Sequence, residues 1–163
     1  MLKKNPFLSG TLILTVTGIL SRIIGFFYRI FLSQQIGEEG MGIYQLLAPV
    51  MALSFSLTCA GIQTSISKYT ASYIAQNKHR SALRVLVTGS FLSMLLSITA
   101  TVFLYQNAAR ISESFLTELR CEPLVRIYAL SLPFACIHSC INGYYYGLKK
   151  SMIPSVSQLV EQL

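Results

Sequence analysis

Four stretches of this chain carry no Asp, Glu, Lys or Arg: Asn5 to Ser21, Gly40 to Ser67, Val85 to Ala109 and Ile127 to Leu148. A helix needs about 20 apolar residues to cross the hydrocarbon core of a bilayer, so each run contributes a crossing. Only 12% of the 163 residues are charged and 53% are hydrophobic, with a mean hydropathy of +0.56. A soluble domain carries about a quarter of its residues as charges. The expected fold class is therefore all-α: a polytopic membrane helical bundle with four complete transmembrane helices plus the start of a fifth. The spans are expected near 7–32, 41–67, 85–106, 125–148 and 154–163, the last being cut short, so that 1–163 forms a partial transmembrane domain.

The formal charge of +7 does not indicate nucleic acid, because the basic residues lie between the apolar runs rather than along one soluble face. Lys3 and Lys4 ahead of an apolar stretch resemble a signal peptide. That stretch, however, continues to about Leu32, contains arginines and lacks a small-x-small cleavage site, so it reads as an uncleaved first helix. "GEEGMG", Gly37 to Gly42, reads as a short loop. Lys68 to Arg84 reads as a polar connection, helical at its start. Asn107 to Pro123 reads as a mixed-charge loop with a short amphipathic turn, and "LKKSMIP" as a tight basic turn. Lys3, Lys4, Lys68, Lys78, Arg80, Arg84, Lys149 and Lys150 all fall on one side of the membrane in this scheme. The other side holds Arg110, Arg120 and Arg126 beside Glu113, Glu118 and Glu122. The positive-inside rule then puts the N-terminus in the cytoplasm.

Three of the four cysteines, Cys59, Cys136 and Cys140, fall inside spans, where cysteine behaves as a small apolar residue. Cys136, His138 and Cys140 suggest a metal site, but on a regular helix His138 points about 200° away from both cysteines, and no metal is expected. Pro49, Pro133 and Pro154 sit inside or at the mouths of spans, where each removes a backbone donor and bends its helix.

The first span poses a sharper question, because it holds Arg22 and Arg29 and none of the first four spans contains an acid to neutralise them. Thr11, Thr15, Gly18, Arg22, Gly25 and Arg29 fall within about 40° of one line on a helix. One stripe is small, polar and cationic, and the rest of the helix is apolar. An Arg at the centre of a membrane helix costs about 2.5–3.5 kcal/mol on insertion scales, which marks it as functional unless it is anchored at an interface. Two guanidinium groups on one face suit an anion such as a diphosphate, which Arg binds bidentately. Arg22 and Arg29 are thus the candidate substrate-binding residues, with Thr15, Gly18, Gly25, Tyr44, Gln45 and Gln63 as possible cavity lining. Small polar residues between helices serve equally well as packing hydrogen bonds. "GYYYG", Gly143 to Gly147, reads as an interfacial aromatic belt.

No catalytic residues and no cofactor are expected. The six acids form no D-x-x-D or D-x-D pair, no P-loop is present, and the chain does not read as an enzyme.

"LSRIIGFFYRIFLSQQIGEEGMGIYQL", "AGIQTSISKYTASYIA" and "INGYYYGLKKSMIPSVSQLVEQ" together resemble three ordered segments of the polysaccharide and lipid-linked oligosaccharide flippases. These belong to the multidrug/oligosaccharidyl-lipid/polysaccharide exporter superfamily, and the resemblance is to its stage V sporulation protein B-like branch, related to the lipid II flippases. It implies two helical bundles around a central cavity in the bacterial cytoplasmic membrane, moving an undecaprenyl-diphosphate-linked glycan outward. It also implies that Arg22, and approximately Arg29, face that cavity. The partners implied are an anionic lipid-linked substrate, membrane lipids and a C-terminal bundle that would complete the transporter, with no nucleic acid. Such flippases have more helices than this chain, which reads as an incomplete, N-terminal portion. A cation-coupled multidrug exporter of the same superfamily, and a small membrane accessory or scaffold subunit, are the alternatives.

Overall fold

In the computed structural model, residues 6–161 are described, with side chains at Leu12 and from Leu14 onward. Lys3, Lys4, the side chain of Thr11 and the last two residues of the expected fifth span lie outside the described residues. The described chain is helical almost throughout. Helix α1 spans Pro6–Phe55 and passes through one π-helical turn, Ser56–Ala60, into α2, Gly61–Ala75. Helix α3 spans His79–Gln106, α4 Ala108–Ser114, α5 Glu122–Gly147 and α6 Met152–Glu161.

Three continuous helical stretches are long and apolar enough to cross a membrane: Leu14–Ala75, His79–Gln106 and Leu119–Gly147. The first is interrupted at Gly37, whose backbone adopts φ 72° and ψ 177°. This left-handed conformation is open to glycine because it lacks a Cβ. The expected loop Gly37–Gly42 is therefore a one-residue break, after which the helix resumes at once. Glu38 and Glu39 then occupy the first turn of the second arm, where a helix N-terminus favours negative charge.

The two arms of α1 cannot be collinear. Arg22 and Gln63 lie in neighbouring clefts that share Gln158, whereas a straight helix would separate them by about 60 Å. The chain doubles back at Gly37. From there the second arm and α2 run parallel to α5 in a steady register. Arg120, just before α5, contacts Glu39. The Tyr128 hydroxyl donates to the Met51 carbonyl at 3.0 Å, Cys59 meets Cys136, and the Ser139 hydroxyl donates to Gln63 Oε1 at 2.9 Å.

Helix α3 packs against both. Thr101 Oγ1 donates to the Ala129 carbonyl at 2.8 Å and Ser93 Oγ to the Thr58 carbonyl at 3.4 Å. Hydroxyl-to-carbonyl bonds of this kind join helices that lack a hydrophobic driving force between them in lipid. Leu47, Val50, Leu104, Ala129, Leu132 and Cys136 form the buried core, while Phe26, Phe27, Val87, Phe91 and Phe103 are exposed. A bilayer-embedded helix presents such residues outward.

Two expectations are corrected here. Asn107–Pro123 is not mainly loop, since α4 and a 3-10 turn at Leu119–Cys121 fill most of it. Cys59 and Cys136 are not merely apolar fillers, for they form a disulfide between the π-helical turn and α5. The "GYYYG" glycines also have a packing role. A Cβ on Gly143 would stand 2.7 Å from the Gln63 carbonyl oxygen, and one on Gly147 2.7 Å from that of Ser67. This is a small-xxx-small contact, with glycines letting two backbones approach closely.

Candidate functional site

The first arm of α1 carries Gly18, Arg22, Gly25 and Arg29 along one stripe, and the structure brings these four together as the wall of an open cleft of about 590 Å³. Ser21 and Phe26 complete that wall, and Gln158 of α6 faces it. The glycines leave the stripe low beside the two long side chains, so both guanidinium groups border the same space. Both arginines are exposed to the cleft. Among the described residues neither forms an ion pair with a carboxylate, the four recorded pairs being Arg120–Glu39, Arg120–Glu118, Arg126–Glu122 and His138–Glu161. Ser21 is only 6% exposed, and its hydroxyl has no hydrogen-bond partner among the described residues. A buried hydroxyl without a partner is costly and uncommon in folded proteins. Here it borders a cationic cleft, available to an incoming acceptor.

The other candidates are placed differently. Gln63 lines a second cleft of about 690 Å³, walled by Phe55, by Phe134, His138, Ser139 and Asn142 of α5, and by Pro154, Gln158 and Glu161 of α6. Tyr44 and Gln45 lie on the exposed surface of the second arm and border neither cleft. Thr15 is exposed one turn before Gly18 and is not part of the arginine wall.

Three features of these clefts have no clear signal in the sequence. Ser21 is adjacent to the stripe rather than on it. Gln158 joins the two clefts only because α6 folds back between α1 and α5. His138 Nδ1 lies 3.0 Å from Glu161 Oε1, a pairing set by that same fold-back. Cys136, His138 and Cys140 share no site: Cys136 is bonded to Cys59, Cys140 is buried as a free thiol, and His138 turns toward α6.

A multi-pass membrane protein with a cationic cleft between its helices is the class that this geometry defines. The chain belongs to the polysaccharide biosynthesis protein family, which it matches over residues 7–163. It is 36% identical over 162 residues to stage V sporulation protein B of Bacillus subtilis (strain 168), an alignment covering 98% of this chain and 31% of that protein. It is 26% identical over 167 residues to the lipid II flippase MurJ of the same organism, covering 98% of this chain and 31% of the relative. Sporulation protein YkvU, also from Bacillus subtilis (strain 168), is 23% identical over 162 residues, with 98% of this chain and 34% of the relative covered. The chain thus spans about a third of the length of these curated relatives. No solved structure matches it.

Proposed function

We propose that this chain forms part of a flippase that moves an undecaprenyl-diphosphate-linked glycan or peptidoglycan precursor outward across the bacterial cytoplasmic membrane, with Arg22 and Arg29 receiving the diphosphate. The observation that carries this reading is the cleft itself: two arginines border one space together with a buried hydroxyl that has no partner among the described residues, and none of the described residues lining it is a carboxylate. A guanidinium inside a membrane protein offers a planar fork of donors to phosphate oxygens, and in low dielectric that attraction is scarcely screened. Similarity to a lipid II flippase supports the substrate class. The role is transport, not catalysis.

The same reading takes the chain across the membrane four times, with a fifth crossing begun at α6 and the N-terminus cytoplasmic. Glu39 against Arg120 puts the Gly37 break at the end of the bundle where α3 passes into α5. Gly147 against Ser67 and Thr70 puts the two basic turns together at the opposite end. The lysine-rich turns at that opposite end then face the cytoplasm.

Binding of undecaprenyl diphosphate to the chain in nanodiscs tests the proposal. Arg22→Ala is expected to weaken binding at least tenfold, and Arg29→Ala severalfold, with the helical content unchanged. Undiminished binding by the Arg22→Ala chain overturns the assignment. A cation-coupled multidrug exporter is the second reading, favoured by the Glu161 carboxylate in the Gln63 cleft. It predicts saturable binding of lipophilic cations in place of the diphosphate.

A further inference from the structure

We propose that His138 and Glu161 form an intramembrane proton-binding site, which takes up and releases one proton within the Gln63 cleft. Its depth rests on the membrane crossing proposed above for α6, and not on what the arginines bind.

Its depth follows from the hairpin. His138 lies about ten residues before the turn at Leu148–Ser151 and Glu161 about ten after it, so both sit roughly 15 Å along their helices from that turn. That is near the middle of a hydrocarbon core about 30 Å thick. The other recorded ion pairs, Glu39 and Glu118 with Arg120 and Glu122 with Arg126, cluster at one end of the bundle. Each has a guanidinium partner, whose charge is permanent. Glu161 is paired instead with an imidazole, the side chain that changes charge between about pH 5 and 8.

The surroundings of the ring accept either protonation state. Nδ1 meets the Glu161 carboxylate at 3.0 Å. Nε2 lies 3.1 Å from Asn142 Nδ2 and 3.0 Å from Ser157 Oγ. With the ring neutral, Nδ1–H donates to the carboxylate and Nε2 accepts from the Asn142 amide. With the ring protonated, Nε2–H donates to the Ser157 hydroxyl, and the Asn142 amide turns its carbonyl oxygen inward. Serine and asparagine each serve as donor or acceptor, so neither state leaves the nitrogen orphaned.

The proton enters from water in the cleft, adds to the His138–Glu161 pair and changes its net charge from −1 to zero. Among the described residues lining the cleft, Tyr146 on α5 is the remaining titratable group, and α1 and α2 contribute the uncharged Phe55 and Gln63. Arg22 and Arg29 lie beyond Gln158, in the adjoining cleft.

The chain contains two histidines, His79 and His138, so ¹⁵N-histidine NMR of the whole chain in nanodiscs resolves the site. The His138 ring signals are expected to change with pH, and Glu161→Gln is expected to displace that change while leaving His79 unmoved. Glutamate carboxyl signals supply the reciprocal measurement: His138→Gln is expected to displace the Glu161 response while leaving that of Glu122 in place. Should Glu161→Gln perturb His79, and so the fold, the His138→Gln measurement decides. A His138 response untouched by Glu161→Gln in a folded chain overturns the proposal, as does a Glu161 response untouched by His138→Gln.

Discussion

Arg22 and Arg29 are set into the apolar first arm of α1, and among the described residues neither forms an ion pair with a carboxylate. Their alignment is legible in the sequence, because Gly18, Arg22, Gly25 and Arg29 keep helical spacing and the residues between them are apolar. Ser21 is not legible, since its burial depends on what α6 brings alongside. The His138–Glu161 contact is equally hidden, as it joins residues on different helices and no local periodicity encodes it. At this scale a charge-preserving substitution separates shape from charge. Arg22→Lys keeps the cation but loses the forked donor pair. It is expected to weaken undecaprenyl diphosphate binding in nanodiscs about tenfold, approaching the effect of Arg22→Ala. Binding equal to that of the unsubstituted chain would show that positive charge alone suffices.

The helices themselves are the most legible level, because charge-free runs of membrane-spanning length leave few other folds. Their ends are less so. The second predicted span stops at Ser67, and the helical start expected for the connection after it runs on to Ala75, because a membrane helix does not end where its apolar residues do. "GEEGMG" has the composition of a loop, but the glycine at position 37 is enough to break the helix, so the residues after it remain helical. "GYYYG" illustrates how two readings of one motif compete. Its tyrosines match an interfacial belt, while its glycines, four residues apart, hold α5 against α2. Gly147→Ala is expected to destabilise the chain by about 1–3 kcal/mol, the usual cost of overpacking, since the backbone at Ser67 must retreat. A lowered thermal-unfolding midpoint in nanodiscs checks this. An unchanged midpoint would mean that the two helices separate freely at that point.

For the whole molecule, the family and the membrane class were legible and the tertiary pairings were not. The disulfide joins cysteines 77 residues apart, and each reads in isolation as an ordinary apolar residue. The arrangement of the ends is open to direct test with a membrane-impermeant maleimide on right-side-out vesicles. Thr117→Cys, in the connection between α3 and α5, is expected to be labelled from outside, whereas Ser151→Cys, in the basic turn, is expected to be labelled only after lysis. The reverse pattern would invert the bundle. The absence of slack at Gly37 bears on how such a chain is made. With no linker between its arms, α1 has nowhere to pause, and neither arm settles without dragging its neighbour. On the proposed topology, the arginine-bearing arm and the arm behind it are expected to enter the bilayer together, as one hairpin.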